Sequence, residues 1–78
     1  MIISRKVIRV MKKVYSISYT DRYNHFKKVW DNLGYTMKFA TIEQAENYIK
    51  TNIDPNFIDI TKPIKIMIGW EIVKEIYL

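Results

Sequence analysis

Cysteine is absent from this chain of 78 residues. That one absence excludes a disulfide-stapled scaffold, a thiolate metal site and a cysteine nucleophile. Glycine and proline occur only twice each, so no glycine-rich loop exists to cradle a phosphate. No G-x-S-x-G elbow is present for a serine nucleophile. His25 is the single histidine, and no H-x-x-x-H or H-x-E pattern supplies it with companion metal ligands. No apolar stretch approaches the roughly 20 residues of a membrane span. None of signal-peptide length follows the basic N-terminal residues either. These absences lead us to expect a cytoplasmic protein with no cofactor and no membrane partner.

Acid is also missing, but only locally. The first 20 residues hold Arg5, Lys6, Arg9, Lys12 and Lys13 and no Asp or Glu, whereas the remainder holds eight cations and eight acids. The formal net charge of +5 therefore arises entirely in the N-terminal segment. Such asymmetry steers a polyanion, or an acidic protein surface, toward one face. The bland account is a solvated strand face, or cations guarding a sheet edge against pairing. Solvated faces, however, normally mix both signs. The functional account presents Arg5, Lys6, Arg9, Lys12 and Lys13 to phosphates or an acidic surface, with Tyr15 and Tyr19 available to stack on unpaired bases.

What is present is enough for one core. Apolar residues make up 49% of the chain, which argues against disorder, and the length corresponds to a single domain over 1–78. A chain this short buries only about 60–65% of the surface its unfolded form exposes, so its stability is expected to be modest.

Several elements follow from pattern. In the first segment, Val7, Arg9, Met11 and Lys13 alternate with Ile8, Val10, Lys12 and Val14, and Tyr15, Ile17 and Tyr19 alternate with serines. This predicts strand, with a bulge or turn near Lys12 and Lys13. In "TDRYNHFKKVWDNLGY", Tyr23, Phe26, Val29, Trp30 and Leu33 recur at helical spacing, with Thr20 or Asp21 as a cap and Gly34 beyond the last turn. That spacing predicts a helix. The competing reading is a hairpin pairing "HFKKVW" with "YTMKF" across "DNLG". "YTMKF" itself alternates as a short strand. "TIEQAENYIK" carries a capping box, Thr41 with Gln44, and an apolar face of Ile42, Ala45, Tyr48 and Ile49. After the proline-bounded loop between Pro55 and Pro63, "IKIMIGWEIVKEIYL" reads as one long strand or two hinged near Gly69. The expected fold is α+β: a small two-layer domain, an antiparallel sheet of 3–5 strands with one or two helices packed on one face. Ile17, Met37, Phe39, Ala45, Ile49, Ile66 and Ile68 are its expected core.

Chemistry is sparse. Glu43 with Glu46, or Asp54 with Asp59, offers a carboxylate pair for a divalent ion. Acids at a helix N-terminus and at loop turns account for both pairs without one. A small metal-independent ribonuclease would draw on His25, Arg22, Tyr23 and Lys27, but nothing in the pattern fixes those side chains at a phosphate.

Two resemblances bear on function. The strands followed by "MKFATIEQAENYI", from Val14 to Lys50, with an F-x-T-x-x-x-A strand-to-helix junction, are similar to the sheet-plus-helix domains of phage integrases that bind arm-type DNA sites. That resemblance implies a sheet lying in the major groove with the helix backing it; the helix expected over Phe26 to Leu33 departs from the three-stranded sheet of that family. In size, missing catalytic motifs and an Ile-, Lys-, Asn- and Tyr-rich vocabulary typical of AT-rich genomes, the chain resembles small phage and mobile-element inhibitors of host defence, anti-CRISPR proteins among them. This second resemblance implies a non-enzymatic inhibitor of a host nucleic-acid-handling complex. Its partner would be a host protein or ribonucleoprotein, bound at acidic protein surface or together with guide RNA or DNA.

Overall fold

The computed structural model describes residues 13–78. Within them, four antiparallel strands form one sheet and a single α-helix packs against it. The strands are β1 (Ser16–Thr20), β2 (Phe26–Lys28), β3 (Ile64–Ile68) and β4 (Glu71–Ile76), in the spatial order β2-β1-β3-β4. The helix α1 (Ile42–Asn52) joins the early strands to β3. This is the α+β architecture expected from the sequence.

Strand alternation decides which residues meet the helix. Ile17 pairs with Ile66 across β1 and β3, placing both on the face that joins Ala45 and Ile49 of α1. Val29, Phe39, Ile58 and Ile64 complete the buried cluster. Burying each such aliphatic side chain contributes about 1.5–3 kcal/mol relative to exposure. Of the expected core, Met37 packs only at the margin of this cluster, and Ile68 is half-buried outside it.

The helix begins as its sequence dictates. The Thr41 hydroxyl accepts from the Gln44 amide at 3.1 Å, and the Gln44 side chain accepts in return from the amide of Ala40 at 3.0 Å. The reciprocal bond thus lands one residue before the cap rather than on the cap itself. At the other end Asp54 caps a 3-10 turn over Pro55–Phe57, and Ile58 then lies beside the end of β1, where Asp59 donates to the Thr20 carbonyl at 2.9 Å.

The helix expected between Asp21 and Gly34 does not form; of the competing hairpin only the tip does, with Val29 and Trp30 meeting Met37 and Thr36, while Phe26–Lys28 pairs with β1 instead of "YTMKF". Two Asp-centred turns replace the helix. The Asp21 carboxylate accepts from the amides of Tyr23 (2.9 Å) and His25 (2.8 Å). The Asp31 carboxylate accepts from those of Leu33 (2.9 Å) and Tyr35 (3.0 Å). In both turns the aspartate backbone also bonds the residues three and four places on. Each turn has a left-handed residue at its fourth position, Asn24 at φ 68° and Gly34 at φ 86°, where only glycine and, less readily, asparagine are at ease. Asx-turn geometry of this kind outcompetes the helix because aspartate offers the backbone a local acceptor.

"YTMKF" is extended but does not form a full strand. It is held by a bridge between Trp30 and Thr36 and by a second between Tyr15 and Phe39. The C-terminal stretch resolves into two strands turned at Gly69 and Trp70, with Gly69 at φ 58°. A bulge lies between the pairs made by Ile66 and Met67. It places Ile72 beside Met67, and both lie on the sheet face away from α1.

Candidate binding surface at the sheet edge

After Val29, β2 peels away from β1. The Val29 amide donates to the Ile17 carbonyl at 3.0 Å, while its carbonyl accepts from Met37 at 2.8 Å. The returning chain then pairs with Tyr15 through two bonds of 2.8 Å between Tyr15 and Phe39. Between departure and return, Trp30 to Thr36 projects as a small hairpin closed by the Asp31 turn. Its apolar side chains face water: Trp30 is 61% exposed, Leu33 80% and Tyr35 70%. Large aromatic and aliphatic groups are seldom clustered this way on a surface that meets only solvent.

Beside the hairpin runs an open cleft of about 550 Å³ between β2 and the C-terminal end of α1. Tyr19, Trp30, Tyr48 and Phe57 give it aromatic walls, Asn52 and Asp54 add polar side chains, and the chain at Lys28 borders it. Phe39 holds Tyr48 in place by a tilted ring contact at 5.4 Å between centroids. Burial, helped by the negative charge of Asp21 and by Tyr48, pushes the Tyr19 phenol above its ordinary value, so it is a neutral wall at physiological pH. The Asp21 carboxyl is held below the usual range, chiefly by the His25 amide that donates to it. Asp59 is held low chiefly by the Thr61 hydroxyl.

Cations lie against aromatic rings on both sides of this region. The Lys28 ammonium sits 5.2 Å from the ring centre of Trp70, a residue 88% exposed at the β3–β4 turn. The Arg22 guanidinium lies 5.1 Å from the Tyr23 ring and 5.8 Å from that of Phe57. These contacts hold long cationic side chains flat against the surface.

The site residues expected from sequence are distributed unevenly. Arg5, Lys6, Arg9 and Lys12 lie outside the described residues, as does the strand pattern before Lys13. Lys13 is exposed just ahead of β1. Tyr15 and Tyr19 are half-buried and pack on the core, on the same strand face as Ile17. Tyr19 reaches the cleft; Tyr15 lies at the opposite end of β1. The residues that sequence reasoning missed are Leu33, Tyr35, Tyr48, Phe57 and Trp70. The signal that could have found the first two is the "D-x-x-G" turn, which turns them outward.

The carboxylates proposed as ion ligands serve other ends. Asp54 caps Asn56 at 2.9 Å and Asp59 anchors Thr61 at 3.0 Å, while Glu46 pairs with Lys74 of β4. No group of three or more acids or histidines is placed to hold a metal among the described residues. His25 stands 3.7 Å from Asp21 in the exposed turn before β2. No described helix is long and apolar enough to cross a membrane.

Fold and surface together define a small α+β domain with an aromatic, basic sheet edge. Searches against protein-family models, characterised proteins and solved structures find no match to the chain.

Proposed function

We propose that this chain is a non-catalytic binding protein whose partner is a host protein or ribonucleoprotein complex that handles nucleic acid, and that it acts as a phage or mobile-element inhibitor of that complex. The observation that carries the binding reading is the projecting hairpin, which places Trp30, Leu33 and Tyr35 in water on a stiff, doubly hydrogen-bonded turn. Tryptophan and tyrosine are the side chains that most often anchor protein interfaces. A rigid turn presents them at little conformational cost. The acid-free N-terminal segment adds long-range attraction for an acidic partner, which raises the association rate more than the affinity.

Direct binding of DNA or RNA is the second reading. The cations laid over Trp70, Tyr23 and Phe57 favour it, since single strands are held by basic grooves interleaved with aromatic stacking platforms. Capture of partners from a lysate of the organism that carries the gene, with and without nuclease treatment, separates the two. A retained protein that survives nuclease supports the first reading. Retention lost on nuclease treatment, or falling with salt at a slope of about 0.9 per phosphate contacted, transfers the function to nucleic acid.

A further inference from the structure

We propose that β2 is a docking edge, and that the partner adds an extended, acid-flanked segment to it as a fifth strand with an apolar side chain seated in the neighbouring cleft. Residues of an antiparallel strand direct their backbone groups alternately to either side. His25 and Val29 bond inward, toward β1 and Met37, and Lys27 is paired opposite Tyr19. Phe26 and Lys28 therefore turn their amides and carbonyls away from β1. No strand lies beyond β2 among the described residues. Two alternating backbone donor–acceptor sets are a template for strand addition.

The cleft fixes what such a strand would carry. It runs along Val29 on the helix side of β2. An added strand thus sends every second side chain between Trp30, Tyr48 and Phe57, where an apolar or aromatic group fits. Charge selects the flanks. Lys27 stands on the helix side of the strand and Lys28 on the other. Asp21 and Asp31 lie on either side of the strand and Asp54 lines the cleft, but β2 itself carries two cations and no acid, so the strand complements glutamate or aspartate on either side of the apolar residue.

The inference rests on the protein-partner reading, and its test uses defined peptides rather than that partner. A display library of random nine-residue peptides is selected against the full chain. In parallel it is selected against Asn52→Trp, which fills the cleft from an exposed position at the helix end. The expected result is enrichment of peptides with one aromatic or aliphatic residue flanked by acids at alternate positions, absent with Asn52→Trp. N-methylation of alternate amides in the best peptide should weaken binding at least tenfold in one register and leave it unchanged in the other. Thermal unfolding checks that Asn52→Trp still folds. No enrichment over Asn52→Trp, a selected motif without acids, or indifference to N-methylation in both registers would overturn the proposal. So would displacement of the peptide by oligo-dT at equal concentration, or self-association of the chain through this edge. If the peptides fail while lysate capture succeeds, the docking mode falls and the binding reading stands.

Discussion

At the scale of single residues, aspartate determines the shape of the candidate surface. Asp21 and Asp31 build two turns of the same design ten positions apart, and each accepts two backbone amides. Because the folded Asp21 carboxyl has a lowered pKa, the sign of its pH effect is fixed. Its contribution is present above the unfolded value and is lost as pH falls through the folded one. Asp21→Asn keeps an acceptor and removes the charge. The variant should be less stable than the parent at about pH 6, and the gap should narrow as pH falls through the folded value, followed by urea unfolding in acid. A stability gap independent of pH would contradict the assignment. Gly34→Ala tests the second turn. Space around Gly34 is open, so the cost should be backbone strain alone, about 1–2 kcal/mol, seen as a lowered thermal midpoint.

At the scale of elements, the sequence was legible wherever one local rule acted alone. Thr41 and Gln44 announced α1, and the Ile64, Ile66 and Ile68 alternation announced β3. It misled where two periodicities overlapped. Tyr23, Phe26, Val29, Trp30 and Leu33 fit a helical stripe, yet only Val29 is buried, and the others are exposed. Their spacing was a by-product of two Asp turns flanking a three-residue strand. The glycine and asparagine at the fourth turn positions were the sign that a hairpin would form. The candidate surface was harder to read than the core because exposure of Trp30 and Tyr35 follows from the turn rather than from any pattern of their own. Ile49 joins α1 to the sheet with no surface exposed. Ile49→Ala should therefore cost about 2–5 kcal/mol, measured by denaturant unfolding. A change below 1 kcal/mol would mean that α1 is not packed on β3.

At the scale of the whole molecule, charge and apolar exposure are divided between segments. The charge excess lies in the N-terminal residues, while the exposed aromatics lie in the remainder, on the hairpin, around the Asp21 turn and β2, at Phe57, at the β3–β4 turn and at Tyr77. Neutralising Arg5, Arg9 and Lys12 together should slow association with the captured partner and leave dissociation little changed, because steering acts before contact. Neutralising Lys38, Lys50 and Lys65, from the charge-balanced remainder, should do far less. Equal effects in a kinetic binding assay would reduce the basic segment to a solvated face.

The most direct measurement concerns the hairpin that carries the binding reading. Replacing Trp30, Leu33 and Tyr35 together by serine removes exposed side chains only, so the thermal midpoint should stay close to that of the parent, each surface change being worth less than about 0.5 kcal/mol. Retention of the nuclease-resistant partner should nonetheless fall at least a hundredfold, the loss of two or more interface anchors of about 2 kcal/mol each. A folded triple variant that holds the partner as tightly as the parent would contradict the account.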